Sequence, residues 1–311
     1  MSRSTISTFQ LFERFPDKES ARVYFESRLW PNGVICPVCK SGERITARKG
    51  GYYRCNACEE DFTVRTGTIM ERSHVPLHKW LYAMYLLVTA RKGISSLQLA
   101  KEIGITQKSA WFLLHRLREA CGKDLRKLRG IVEIDETYVG GKERNKHADK
   151  KLNMGRGAVG KTAVLGMRER GGGRLKALPL FDTSIESIQS EIYRHVEYGA
   201  ELHTDEAPVY ADMDGIFYRH DSINHGQRQY RRLNVTTNGV ESAFAVMKRG
   251  IIGVYHHITP KHTGRYVDEF AFRLNDGNVA RPTLDRLDSF IDGMAQKRLT
   301  YKDLIAVPEG N

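Results

Sequence analysis

Three carboxylates in the second half of this 311-residue chain stand in segments of different character: Asp135 in IVEIDETYVGG, Asp205 in ELHTDEAPVY and Glu241 in TNGVESAFAVMKRG. Sixty-nine residues separate the first two and thirty-five the second pair. Asp135 interrupts an apolar run, Asp205 ends a short one, and Glu241 opens a helical pattern. Carboxylates are hard oxygen donors that suit magnesium or manganese. A fold that gathers three of them can hold two such ions. One ion would activate an attacking water or 3′-hydroxyl, and the other would steady the leaving oxygen. The ions would also offset repulsion between the acids, roughly 4 kcal/mol per pair at about 4 Å and an effective dielectric near 20. Simpler roles exist for each: a turn for Asp135, a helix N-cap for Asp205, a solvated helix position for Glu241. A charge inside Ile131 to Val139 is nevertheless costly without a ligand.

The balance of 49 Lys plus Arg against 37 Asp plus Glu gives a formal charge of +12. That excess favours a polyanion, most simply nucleic acid. Metal-binding acids in such a chain point to cutting and joining phosphodiesters. No apolar run reaches the roughly 18 residues of a membrane span, and MSRSTISTFQLFERF lacks a signal core. A cytoplasmic, nucleoid-associated protein without membrane contact is expected. Its five cysteines are not expected to form disulfides there.

Four of those cysteines fall as Cys36-Pro-Val-Cys39 and Cys55-Asn-Ala-Cys58, with fifteen residues between the pairs. This is zinc-site spacing. Four thiolates close a tetrahedral shell and leave no open position, so one structural zinc is expected. Arg44 to Arg48, Gly51 to Arg54 and Asp61 to Thr66 read as strands of the ribbon. Cys121, unpaired on an apolar helix face, reads as a small buried hydrophobe.

Leu77, Trp80, Leu81, Met84, Leu87 and Val88 recur at helical spacing. Beyond them, Ser95 or Ser96 caps a helix that Gly104 ends, and Thr106 caps the next. That layout is a helix-turn-helix. Gln107, Lys108 and Ser109 open its second helix, exposed and able to reach bases or phosphates. Trp111, Leu114 and Leu117 pack inward. A plain helical bundle is the simpler alternative.

From Gly130 the texture alternates. Ile131 to Val139, Lys161 to Met167 and Arg174 to Phe181 read as strands, then Ser184 caps a helix to about His195. Ala200 to Thr204 and Phe217 to Ile223 are further strands. Asn238 to Arg249 and His262 to Leu274 are helices. The order resembles the ribonuclease H-like fold, in which an acid on the first strand, one ending the adjacent fourth strand and one on a later helix meet. The fold class is therefore α/β, a ribonuclease H-like mixed sheet preceded by a zinc ribbon and a helix-turn-helix region. The expected divisions are a helical lead-in (1–30), the ribbon (31–70), the helix-turn-helix (75–125), the catalytic domain (130–280) and a helical tail (281–311).

These segments together resemble bacterial insertion-sequence transposases of the DDE type with an N-terminal zinc ribbon. The resemblance covers nearly the whole chain. Its most specific pieces are Ile134-Asp-Glu-Thr-Tyr-Val-Gly-Gly-Lys142, His203-Thr-Asp-Glu-Ala207 and Asn238-Gly-Val-Glu-Ser242. It implies that Asp135, Asp205 and Glu241 are catalytic and hold two Mg2+ (or Mn2+) ions. Asn238 is the rival third ligand, because some relatives use asparagine. Lys248, seven residues after Glu241, falls on the same helix face and matches the family's basic residue, with Arg249 beside it. Both would touch DNA. The segment Arg273 to Asn278 lacks a second arginine found in relatives.

The resemblance also implies binding of double-stranded DNA, at transposon ends and target, by a homodimer or larger synaptic complex. Strand hydrolysis would free a 3′-hydroxyl that then attacks target DNA. A regulator without catalysis, or a nuclease that does not join, is the alternative. The basic stretch Gly141 to Lys161, including Lys142 and Arg144, suits DNA backbone or a solvated loop. His203, His220, His225, His256 and His257 cluster near the motifs and suit either site or core roles. Leu284, Leu287, Phe290, Ile291 and Met294 form an apolar stripe fit to dock on the core or on a second subunit.

Overall fold

The computed structural model describes residues 5–122, 125–141, 147–152, 158–205, 207–210, 213, 219–223 and 235–306. The chain divides into two units, residues 1–122 with 276–311 and residues 123–275. The first unit opens with α1 (Thr8–Arg14) and α2 (Lys18–Leu29). Ser7 and Gln10 form a capping box on α1, and Asp17 accepts from the Glu19 and Ser20 amides on α2, meeting the orphan donors of each first turn. Three short antiparallel strands follow: β1 (Ile45–Arg48), β2 (Tyr52–Cys55) and β3 (Asp61–Thr63). Behind them lies a small core of Trp30, Tyr53 and Phe62 with the two buried cysteines, Cys36 and Cys55. Its rings meet edge-on or stacked, with centroids 5.4 to 5.9 Å apart.

Next come α3 (Leu77–Thr89), α4 (Ser96–Ile103) and α5 (Gln107–Cys121). All six apolar residues expected on one face of α3 are buried. The Ser95 hydroxyl accepts from the Gln98 amide, and Gly104 ends α4 at φ +62°, a conformation only glycine adopts without strain. Thr106 accepts from the Ser109 amide at the start of α5. Leu114 and Leu117 are buried, whereas Trp111 is only half-buried. Cys121, the last residue of α5, is also only partly covered. The helix end lifts it out of the buried role its apolar spacing suggested.

The second unit is a mixed five-stranded sheet. β4 (Ile131–Val139), β5 (Thr162–Glu169) and β6 (Leu175–Leu180) form an antiparallel meander. Gly171 and Gly172, at φ +78° and +80°, make the tight turn between the last two. The chain then crosses by α6 (Ile185–His195) to β7 (Glu201–Asp205), which lies parallel to β4, and continues to β8 (Arg219–Ile223), parallel to β7. The order is β6-β5-β4-β7-β8, with β4 central. After α7 (Asn238–Gly250) and a π turn (Ile251–Tyr255) comes α8 (Thr263–Leu274). Despite the missing second arginine, α8 is well formed: Arg273 reaches back one turn to Glu269, and both are buried.

Strand alternation sorts the core onto two faces. Val132, Ile134, Leu165 and Met167 pack with α6 residues Ile188 and Ile192. Val139 and Val164 pack with α7 and α8 through Val240, Phe244, Val267 and Phe270. Asp135 shares the parity of Val139 and so belongs to the α7 face. Its partner across the ladder is Gly166. A Cβ on Gly166 would stand 2.5 Å from Phe244 Cζ and 2.8 Å from Val240 Cγ2. The glycine therefore lets α7, and with it Glu241, come down onto the sheet beside Asp135. Gly166→Ala should cost about 1–3 kcal/mol through overpacking, read by urea denaturation. Phe244→Leu in the same chain should recover part of that loss, and no recovery would rule out the contact.

The chain then returns to the first unit with α9 (Thr283–Asp292) and α10 (Tyr301–Ile305). α9 packs on α2, α3 and α5. Leu287, Phe290, Ile291 and Met294 are fully buried, and Leu284 is half-buried. The stripe thus docks within the chain itself. Arg286 is buried with them, donating to the Val88 carbonyl and, at 2.9 Å, to Thr283 Oγ1. Among the described residues, no helix is long and apolar enough to cross a membrane.

Candidate active site

The three acids sit on three elements that converge. β4 and β7 run parallel with Glu133 opposite His203, and Asp135 and Asp205 each lie two residues beyond that pair. The same two-residue step keeps both on the α7 face. Glu241 lies in the first turn of α7, half-buried, and its Oε1 accepts from Thr237 Oγ1 at 2.7 Å. Asp135 Oδ1 accepts from the Glu136 amide at 2.8 Å, and Asp205 Oδ1 accepts from the Ala207 amide at 3.0 Å.

Burial lifts the Asp135 carboxyl from an ordinary 3.8 to about 7, and the negative charges of Glu136, Asp205 and Glu241 push it the same way. Asp205 and Glu241 are thus each near enough to act on Asp135. The three acids do not close into a cluster with all ligand atoms within 4.8 Å; among the described residues, only the four cysteines and a Glu201, His203, Asp221 group do so. The donors present, all hard oxygens in a half-buried setting, fit Mg2+ or Mn2+. Asn238, the rival ligand, is exposed at the first position of α7.

Between about 4 and about 7 the folded state holds the Asp135 proton more tightly than the unfolded chain, so this group favours folding as pH falls through that window. Above about 7 the full penalty of a buried charge remains. Added Mg2+ should therefore raise the melting temperature clearly at about pH 8 and little at about pH 5.5. An equal shift at both would detach the ions from Asp135.

Glu136 points to the other face of β4, where the Tyr210 hydroxyl donates to it. Burial raises both groups, Tyr210 far above its usual range. This pair went unnoticed in the sequence. So did a deeper one. Glu133 is 4 % exposed, more buried than Asp135, and its Oε2 accepts from the Gly239 amide at 2.6 Å and the Val240 amide at 3.2 Å. A Cβ on Gly239 would stand 2.5 Å from that oxygen, so glycine is needed there. The available signal was parity, since Glu133 and Asp135 share a strand face.

Lys248 and Arg249 are exposed in the last turn of α7. Seven residues, about 10 Å of helix, separate Lys248 from Glu241. Gln107, Lys108 and Ser109 are exposed at the start of α5, yet each is already engaged. Gln107 donates to Ser96 Oγ at 2.8 Å, the Lys108 ammonium lies 4.8 Å from the Tyr301 ring centroid, and Ser109 Oγ accepts from Thr106 at 2.9 Å. Lys142, Arg144 and His225 fall outside the described residues. His220 bonds Thr204 through Nε2 at 2.8 Å, and His256 adopts φ +59° just after the π turn.

The four cysteines meet as the spacing predicted. Their Sγ atoms all lie within 4.8 Å, with Cys36 to Cys58 and Cys39 to Cys55 both 3.6 Å. Tetrahedral zinc with bonds near 2.3 Å sets sulfurs about 3.8 Å apart, so the cage fits that ion. Each knuckle closes with a residue in the left-handed region, Lys40 at φ +64° and Glu59 at φ +60°. The Lys40 amide donates back to the Cys36 carbonyl.

Comparison with known proteins agrees with this division. Residues 127–275 match the ISXO2-like transposase domain, and residues 16–61 match the transposase zinc-ribbon domain. The chain is 31% identical over 235 residues to an uncharacterized protein in transposable element ISH50 of Halobacterium salinarum, covering 71% of this chain and 78% of that one. A cryo-EM structure of the simian T-cell lymphotropic virus intasome in complex with PP2A regulatory subunit B56 gamma is similar at 13% identity over 61% of this chain and 67% of that one. Its TM-score of 0.28 is too low to carry any argument. With a zinc cage in one unit, convergent acids in the other and matches over both, the chain belongs to the insertion-sequence transposases with an ISXO2-like domain and an N-terminal zinc ribbon.

Proposed function

We propose that this chain binds the terminal inverted repeats of an insertion sequence, hydrolyses a strand at the element's end and joins the freed 3′-hydroxyl to target DNA. The sheet order β6-β5-β4-β7-β8 supports reading the second unit as ribonuclease H-like. One observation carries the reading: Asp135 and Asp205 stand at matching positions on the central strand and its parallel neighbour, and α7, with Glu241 in its first turn, packs on that central strand.

Asp135, Asp205 and Glu241 are the residues that would hold two divalent cations. Bound there, the ions would supply an activated oxygen nucleophile and charge stabilisation for the leaving oxygen. Water oxygen attacks the phosphorus at the element's end. The P–O3′ bond breaks, leaving a 5′-phosphate and a 3′-hydroxyl. That hydroxyl next attacks a target phosphodiester, forms a new P–O bond and displaces the target's own 3′-oxygen. No covalent bond to the protein forms. Lys248 and Arg249, exposed two turns along α7, would hold phosphates of the end.

α4 and α5 make a helix-turn-helix whose start offers Gln107, Lys108 and Ser109 to DNA. Reaching bases would require them to give up their present partners. Two ends must be processed together, so a homodimer or larger synaptic complex at the nucleoid is the expected working state.

A strand-transfer assay with pre-cut ends and Mg2+ tests the reading. Joined product supports it. Efficient nicking without joining would make the protein a nuclease, and end binding without either would make it a regulator.

A further inference from the structure

We propose that Arg170, bridging Glu133 and His203, is the positioning residue that sets the spacing of the three acids. This rests on the reading of Asp135, Asp205 and Glu241 as the cation ligands. Arg170 follows β5. Its Nε donates to Glu133 Oε1 at 3.2 Å, and its Nη2 serves both His203 Nδ1 at 2.7 Å and the Thr236 carbonyl at 3.1 Å.

Two of these partners belong to strands that carry an acid, and the third leads into the helix that carries the other. Glu133 lies on β4 two residues before Asp135. His203 lies on β7 two residues before Asp205, paired with Glu133 across the ladder. Thr236 lies just before α7 and Glu241. Glu133 adds its own hold on α7 by accepting from the Gly239 and Val240 amides, where a carboxylate also meets the positive end of the helix dipole. Arg168 donates to the Gly239 carbonyl at 2.7 Å from the same side. One guanidinium thus ties together β4, β7 and the lead into α7, one layer beneath the acids. A rigid fork of donors suits that task better than a flexible ammonium.

The arrangement also decides against a metal at Glu201, His203 and Asp221, whose ligand atoms lie within 4.8 Å of one another. A guanidinium can only donate. His203 Nδ1 must therefore accept, which leaves the proton on Nε2, donated to Glu201 Oε1 at 2.8 Å. With both ring nitrogens used, His203 extends the bridge and is not a ligand.

The test compares Mn2+ binding by calorimetry to the zinc-loaded full chain for wild type, Arg170→Gln, Arg170→Lys, Glu133→Gln and Asp135→Asn. Arg170→Gln should weaken Mn2+ binding about tenfold or more, and shift the Mn2+ needed for half-maximal cleavage by the same factor. Arg170→Lys should recover part of the affinity. If Arg170→Gln does not fold, Glu133→Gln, which keeps an acceptor for the Gly239 amide, should show the same loss. A lower melting temperature with wild-type Mn2+ affinity would make the bridge merely structural and overturn the proposal. Wild-type affinity in Asp135→Asn would instead remove the ligand assignment, and the positioning role with it.

Discussion

Asp135→Asn is expected to abolish strand cleavage and joining while leaving end binding intact. Asparagine keeps an oxygen for the Glu136 amide that Asp135 Oδ1 now accepts from. It removes the charge that two cations would need. Metal-held charge stabilisation is worth several kcal/mol, and each 1.36 kcal/mol is tenfold in rate, so a fall of about a thousandfold or more follows. A second readout separates this from misfolding. Burial and the charges of Glu136, Asp205 and Glu241 all oppose ionisation of Asp135. The metal-free variant should therefore melt higher than wild type above neutral pH. Wild-type cleavage by the variant would take Asp135 out of the site.

Loss of the ribbon's zinc should be nearly as severe, in the other unit. Behind the four thiols stand only Trp30, Tyr53, Phe62 and a few aliphatic neighbours. A core of that size does not support three strands of three or four residues without a staple. Structural zinc supplies about 10–16 kcal/mol in comparable small sites at neutral pH. Cys36→Ser should yield protein with less than one zinc per chain by atomic emission. The near-ultraviolet circular dichroism of Trp30 and Tyr53 should be lost, and affinity for transposon ends should fall more than tenfold. Mn2+ binding by the second unit should persist. Full near-ultraviolet signal in a zinc-free chain would show that the ribbon folds unaided.

Local chemistry explains what the sequence disclosed. Ser95, Gly104, Thr106 and Ser184 announce helix ends because a cap is a contact within four residues. The zinc cage is legible because a tight turn fixes two thiols at once. Asp135 and Asp205 stand out as charges in or ending apolar runs. What escaped is long-range. Arg170 is one arginine in a basic chain until Glu133, His203 and Thr236, 33 to 66 residues away, close around it. Glu133 hid in plain view, since a strand's parity tells which face a carboxylate takes but not which helix start it meets. The engagement of Gln107 with Ser96 and of Lys108 with Tyr301 likewise needs tertiary structure.

The return of α9 to the first unit bears on how the protein is made. Val88 and Arg286, joined by a buried hydrogen bond, are 198 positions apart, with the whole second unit strung between them. On the ribosome, α3 must wait for α9 to cover its share of the apolar face until the whole second unit has been made. A product cut short by a nonsense codon or frameshift would carry the ribbon and helices but lack the segment that seals them. Such fragments should be prey for proteases, and not durable competitors for transposon ends.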